Sequence, residues 1–479
     1  MSKFSPQSLV QPRLKGTQEY FSIWGLVSLI SALLLLGISN QAKALPTFAR
    51  QTGQSCVACH AGGQFPELTP YGRIFKLTGY TIGSLGNPFS AMLVTDLTQN
   101  KNNTDLISST GIASQNNIPL IDVGSVFVAG KLTNNIGGFA QFTYSVYDHQ
   151  DNSGNWRGHF SSDNTDLRYV NRFLTPSNDL ILGVTVHNNP GVQDVWNSAP
   201  AWSYPFLSAP GAASAFAGVP VSTKLEDGTL SSQVAGLGAY AFLNKSIYFE
   251  LTGYQTATGF WKFLSQGYKL GDPNSPLTYS QGISPYMRVA YTKEWDEQNF
   301  MIGLMAMNTN IYPFDGSNLP QYGMVTHYQD KGIDAQYQYL LDPHTVTAQL
   351  RYITEKINDD TGTNANSNRL NSFFAKITYV FRNEYGADVS YRSVNGSSDI
   401  GAYQNYATTQ ASSYSTSLNN SPNSKLWTPE VFWLPMQNLR LGLQYNMFTQ
   451  YLGATTNYDG NNRNASDNNF AYLYAWLAF

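Results

Sequence analysis

The chain is 479 residues long with a net charge of −3, charged residues at 12% and aromatic residues at 14%. Its charged share is about half the roughly 25% of an ordinary soluble domain, and the absence of a basic excess excludes a nucleic-acid footprint. Length alone would suggest several soluble domains. Many tyrosines, with Asn, Gly, Ser and Thr breaking the apolar stretches, suit either a membrane β-barrel or a large secreted β-sandwich.

In chain order, Lys3, Arg13 and Lys15 give a positively charged start. An apolar run from Phe21 through Leu33–Leu36 to Ile38 follows, then Ala42-Lys43-Ala44, an A-x-A cleavage pattern. Residues 1–44 therefore read as a signal peptide cleaved after Ala44, the alternative being an uncleaved anchor. The run is somewhat short for a spanning helix, which needs about 20 residues. No later window approaches the apolar length of a spanning helix, so a further crossing would have to use strands.

The next segment, 45–86, holds both cysteines of the chain in Cys56-Val57-Ala58-Cys59-His60. C-x-x-C-H is the attachment signature of a c-type haem: the thiols add across the vinyl groups and the adjacent histidine ligates the iron. A disulfide between the two would close a very short, strained loop, and a zinc site would lack its second pair of ligands. The pattern predicts one covalently bound haem c on Cys56 and Cys59 with His60 as axial ligand, in an oxidising compartment. The second axial position is open to Met92, to another histidine or to no protein ligand; a methionine would raise the potential. Of the other histidines, His149, His159 and His187 fall in or beside predicted long loops, and His327 and His344 lie further on.

Thr69-Pro70-Tyr71-Gly72-Arg73-Ile74-Phe75-Lys76 predicts a short helix with Thr69 as N-cap, Pro70 at its first position and Gly79 beyond its end. Arg73 and Lys76 are expected to meet the haem propionates, and Phe65, Tyr71 and Phe75 to cover the haem or form the segment's core. A segment of about 40 residues seldom folds alone. It is therefore expected in or against the periplasmic mouth of a barrel built from the downstream residues.

From 87 to 479 the chain reads as strands. Val126–Gly130 and Phe139–Tyr144 flank Thr133-Asn134-Asn135 as a hairpin. Further tight turns are expected near Pro176–Asn178, Asn244–Lys245, Glu294–Asp296, Asp342–His344, Arg382–Glu384 and Met436–Asn438. Longer breaks, roughly 100–120, 149–164, 188–230, 257–282, 310–320, 357–368, 395–425 and 453–467, alternate with them. Alternating short turns and long loops is the topology of an outer-membrane barrel, and parity gives about sixteen strands. That count takes 321–341 as one strand with a bulge at Asp330–Gly332 and Trp427–Leu434 as a strand. The chain ends on an aromatic strand with Leu473, Ala475, Leu477 and Phe479 on one face and Tyr472, Tyr474 and Trp476 on the other. A terminal phenylalanine resembles the insertion signal of outer-membrane barrels. The fold class is thus all-β: a transmembrane antiparallel barrel with a short N-terminal α-helical haem segment.

Leu45–Gly53, Cys56-x-x-Cys59-His60, Phe65–Arg73 and Phe75-Lys76-Leu77-x-Gly79-Tyr80 together resemble the fused outer-membrane monohaem cytochrome c–porins. Asn189-Pro190-x-Val192-Gln193-Asp194-Val195-Trp196-Asn197 and Pro200-Ala201-Trp202 are also similar to that family, which is best known from iron-oxidising bacteria. Ala61–Gln64 departs from its pattern by about an extra glycine. The resemblance implies electron transfer across the outer membrane, from an extracellular reductant such as Fe(II) to a periplasmic c-type cytochrome or other acceptor. The loop carboxylates Asp148, Asp151, Asp163 and Asp166 are candidates for attracting Fe(II). A diffusion porin with a haem sensor or structural plug, and a peroxidase-like haem enzyme, are the alternatives.

Overall fold

The structure is a computed structural model and describes residues 46–63, 67–100, 119–150, 156–197, 220–226, 230–265, 277–315, 317–359, 368–399, 403 and 417–479. The expected leader, 1–44, and Phe65 lie outside these residues. Three short helices come first: α1 (Pro46–Thr52), α2 (Cys56–Cys59) and α3 (Pro70–Leu77). The strands are β1 (Phe89–Asn100), β2 (Leu120–Lys131), β3 (Ile136–Gln150), β4 (Trp156–Leu174), β5 (Asp179–His187), β6 (Val234–Leu243), β7 (Ile247–Thr256) and β8 (Ser284–Trp295). They continue with β9 (Gln298–Ile311), β10 (Thr326–Leu341), β11 (His344–Asp359), β12 (Asn368–Phe381), β13 (Tyr385–Gly396), β14 (Ser424–Met436), β15 (Leu439–Gln450) and β16 (Phe470–Ala478). A further short helix, α4 (Pro190–Gln193), lies between β5 and β6.

Every strand pairs antiparallel with its sequence neighbours, and β1 pairs with β16, so the sheet closes into a barrel of sixteen strands. Closure reaches the last residue: Phe479 N–H donates to Ala91 O at 2.8 Å, and Ala91 N–H donates to Phe479 O at 2.7 Å. The predicted sixteen-strand parity is therefore the observed one, and closure removes the sandwich reading. β10 is a single strand, as expected, but its register with β9 and β11 is unbroken, so the bulge expected at Asp330–Gly332 is absent. Register shifts fall instead at Val94/Thr95, at Ala140/Phe142 and Ser145/His149, and in β14.

The two ends differ. At one end the connections are tight, and in two of them both central residues have positive φ: Asn244 (48°) with Lys245 (55°), and Arg382 (55°) with Asn383 (53°). That conformation matches the twist of paired strands. The other end carries the long connections, such as the one from His187 to Val234.

Side chains alternate across the wall. On β8, Ser284, Tyr286, Arg288, Ala290 and Thr292 are buried while Pro285, Met287, Val289 and Tyr291 are exposed. The inward face is polar and charged. The outward face is apolar, with Leu237, Leu251, Leu304, Ile377 and Val431 exposed. A closed sheet satisfies its backbone groups internally, and an apolar outer belt suits hydrocarbon, so the barrel spans a bilayer. Among the described residues no helix is long and apolar enough to cross a membrane; the strands make the crossing. Sixteen strands with short turns at one end and long loops at the other make this a porin-like barrel of the outer membrane.

The lumen is packed. Leu77 of α3 joins Val195 and Trp196, just beyond α4, and the wall residues Val170, Ile181, Tyr240, Phe242, Tyr248, Ala290 and Met301 in one buried cluster. The N-terminal segment and an inward-folded stretch of the β5–β6 connection thus meet inside the barrel.

Candidate functional site

The Cys-His turn is built from local geometry. α2 is one helical turn, which puts Cys56 and Cys59, three apart, on the same side. His60 leaves the helix in an extended conformation, and its N–H donates to Cys56 O at 2.9 Å. A small antiparallel bridge then pins the turn. His60 pairs with Leu68, Ala61 N–H donates to Glu67 O at 2.9 Å, and Thr69 N–H donates to Cys59 O at 2.9 Å. Gly72 lets α3 lie directly against this turn, because a Cβ at that position would sit 2.1 Å from Cys59 O.

Both thiols are free of any disulfide. Cys56 is only 3% exposed. Its Sγ lies 3.2 Å from Gln437 Oε1 and 3.4 Å from Gln437 O, in the β14–β15 turn. Burial, with the neighbouring Cys56 thiol adding to it, pushes the Cys59 thiol up to about 11. Gly62 passes against Val380 of β12 and Gly63 against Leu434 of β14. Two unbridged thiols on one helical face, with an imidazole next in the chain, are the donor set that a c-type haem requires.

α3 forms as predicted. Thr69 Oγ1 accepts from Gly72 N–H at 3.2 Å, Pro70 opens the helix, and Gly79 follows its end at φ 70°. Its two cations, expected at the haem propionates, are turned to the barrel instead. Arg73 donates to Leu68 O (3.0 Å), Gln338 Oε1 (3.2 Å) and Asn299 Oδ1 (3.1 Å), with Glu294 at 3.5 Å. Lys76 Nζ donates to Asp194 O at 2.8 Å. Burial lowers Arg73 to about 10 and Lys76 to about 8. Phe75 is buried within the segment, 4.9 Å from the Phe48 ring and 5.8 Å from the Tyr80 ring, and Tyr71 is half-buried.

Further residues, among them Asp166 in a role the sequence did not predict, complete the seat. Gln51 Nε2 donates to Tyr80 O at 2.6 Å and Ile82 O at 2.8 Å, while its Oε1 accepts from Lys131 N–H at 2.9 Å. Tyr80 Oη donates to Asp166 Oδ2 at 2.6 Å, and Arg168 Nε donates to the same oxygen at 2.7 Å. Arg168 continues to Gln193 Oε1 at 3.0 Å, and Arg288 bridges Asp334 (2.6 Å) and Asp194 (3.8 Å). Glu67 meets Lys376 of β12 at 3.5 Å. The stretch Asn189–Asn197, singled out in the sequence without a role, thus supplies the luminal partner of α3.

The expected loop carboxylates are corrected. Asp163 and Asp166 lie in β4 and point into the lumen, where Asp163 Oδ2 accepts from Thr143 Oγ1 at 2.8 Å. His187, expected at a loop surface, is fully buried at the end of β5, with Nε2 2.7 Å from Tyr254 Oη. The Asp148 side chain and Asp151 are outside the described residues. Among the described residues no cluster of three or more His, Cys, Asp or Glu is arranged to hold a metal ion. Met92 sits on the inward face of β1, opposite Ser125 and Ala478. β16 alone lies between its strand and the β14–β15 hairpin whose turn holds Cys56.

No protein-family model matches the sequence, and no curated protein is similar to it. Among solved structures, the chain is similar to OprB of Pseudomonas putida, with 10% identity, a TM-score of 0.46, and 88% of this chain and 100% of that one covered. It is also similar to the outer membrane channel DcaP of Acinetobacter baumannii, with 12% identity, a TM-score of 0.43 and coverage of 82% and 96%. The Salmonella typhi OmpF complex with daunomycin gives 13% identity, a TM-score of 0.42 and coverage of 82% and 97%.

Proposed function

We propose that this chain is a fused outer-membrane monohaem cytochrome c–porin that moves electrons across the outer membrane. Cys56 and Cys59 carry one haem c covalently, and His60 is its axial ligand. Haem supplies a one-electron station, while the barrel supplies an insulating wall around it. The direction of transfer is from an extracellular reductant, Fe(II) in the first instance, to a periplasmic c-type cytochrome or other acceptor. The observation that carries this reading is the seating of the Cys-His turn. Both thiols are unbridged, and Cys56 sits against the β14–β15 turn, at the short-turn end, in a segment bonded into the lumen. Short turns are the periplasmic side of outer-membrane barrels.

Full-length protein in liposomes tests the proposal. External Fe(II) should reduce the haem, and an enclosed acceptor should reoxidise it. Haem that stays oxidised, or fails to pass its electron inward, sinks the conduit. Cys56→Ala with Cys59→Ala should abolish covalent haem in a denatured-protein stain. Met92 is the proposed second ligand, and a His/Met spectrum that survives Met92→Ala removes it.

A further inference from the structure

The outer wall carries one anomaly. Outward-facing strand positions are apolar through the middle of the wall and become neutral polar toward the long loops, as at Asn308, Gln329 and Asn371, yet there Lys331 (β10), Lys356 (β11), Arg369 (β12) and Lys425 (β14) all have outward parity. Lys331, Lys356 and Arg369 are exposed and Lys425 is half-buried. No other outward strand position in that half carries a charge among the described side chains, and no carboxylate accompanies these cations. None of the four side chains makes an ion pair among the described residues, unlike the luminal arginines.

The register draws the cations together. Lys356 and Arg369 are directly opposite across β11 and β12, and Lys331 stands opposite Thr354, two residues along from Lys356. Lys425 closes the group from β14, opposite Ser393. Like charges directly opposite on a sheet face repel, so Lys356–Arg369 is a local cost that no ion pair among the described residues offsets.

Their height is set by the aromatic band beneath. Tyr352, Phe373, Tyr391 and Trp427 face outward, with Phe373–Tyr391 and Tyr391–Trp427 ring centroids 6.1 and 4.6 Å apart. Lys425 lies two residues beyond this band on its strand, Lys356 and Arg369 lie four, and Lys331 is level with Thr354, two beyond Tyr352, which is about 7–13 Å at a rise of about 3.3 Å per residue. Outward aromatics mark the bilayer interface, so the cations stand at headgroup level on the long-loop, outer-leaflet side.

We propose that Lys331, Lys356, Arg369 and Lys425 form a docking site for the phosphate groups of a phosphorylated outer-leaflet lipid. The outward aromatic and aliphatic side chains below them receive its acyl chains. The unpaired like charges, gathered on β10, β11, β12 and β14 at headgroup level, select an anionic lipid over a neutral one. The proposal is independent of the haem reading.

The test is binding of bis-phosphorylated lipid A, and of its dephosphorylated form, to the detergent-solubilised full chain, read by native mass spectrometry. The phosphorylated lipid should bind more tightly, and Lys356→Gln with Arg369→Gln should weaken it about tenfold or more, on the usual gain per cation at an anionic surface. Lys293→Gln, an outward cation at the short-turn end, should change nothing. Heat-modifiable electrophoretic mobility verifies that each variant is folded. If the double variant fails to fold, Lys331→Gln with Lys425→Gln replaces it, and wild-type binding should fall as salt rises. Equal binding of the two lipids, or an unaltered affinity in the folded variants, overturns the proposal. Complete displacement by millimolar inorganic phosphate overturns the lipid assignment.

Discussion

α3 and α2 belong to one short segment but are held by different means. α3 is fixed by buried polar contacts to distant walls: Arg73 to β9 and β10, Lys76 to the inward stretch after β5, and Tyr240 Oη to Leu77 O at 2.7 Å. α2, which carries the cysteines, has one glutamine and two flanking glycines against the wall. The anchor and the chemistry are therefore separate, and the Cys-His turn takes its position largely from α3 through the close approach at Gly72.

Breaking the anchor should have the largest effect. Arg73→Ala leaves buried acceptors on Leu68, Gln338 and Asn299 without a donor, a loss of about 3 kcal/mol in docking of the segment. The half-exposed Glu294 adds little to this. Limited proteolysis should then cut within 46–87 while the barrel keeps its heat-modifiable mobility; an uncut segment would show that α3 is not the anchor. Gly72→Val tests the link between the helices. A side chain there must displace Cys59 O, at a cost of about 1–3 kcal/mol. The visible spectrum of the holoprotein should change with α3 still protease-resistant.

Gln437→Leu tests the weaker seat. It removes one acceptor near Cys56, about 1 kcal/mol, and should speed alkylation of Cys56 in haem-free protein without loosening α3. The smallest effect is with pH. Docked Lys76 gives up its proton at about 8, against 10.5 for the ordinary side chain. The undocked segment therefore holds more protons in that interval, and docking strengthens as pH rises. Protease protection of the segment should increase between pH 8 and about 9, and Lys76→Met should flatten the change.

The wall is legible in the sequence because its physics is local. Period-two alternation and turn chemistry locate the hairpins at Asn244–Lys245 and Arg382–Asn383, and parity gives the strand number. The start of β4 reads as a loop because Ser161-Ser162-Asp163-Asn164-Thr165-Asp166 has no apolar alternation; a lumen lined with polar groups permits that in a strand. The α3 cap is equally readable from Thr69 and Pro70. The partners of Arg73 and Lys76 are not. Gln338 and Asp194 lie 265 and 118 residues away, and nothing in a single sequence records which luminal side chains face one another. Propionate pairing is the reasonable expectation for two cations near a Cys-His turn. Burial against the wall takes precedence because each cation finds neutral or anionic oxygen there.

The burial of Cys56 under the β14–β15 turn also fixes an order of events in the making of the protein. Once the segment is home, that thiol has almost no contact with solvent. Whatever is attached to it must be attached while the N-terminal segment still lies outside the barrel. On the proposed haem reading, biogenesis has two stations, maturation of the segment first and its entry into the lumen second, and a chain that docks early is committed to remaining unmodified.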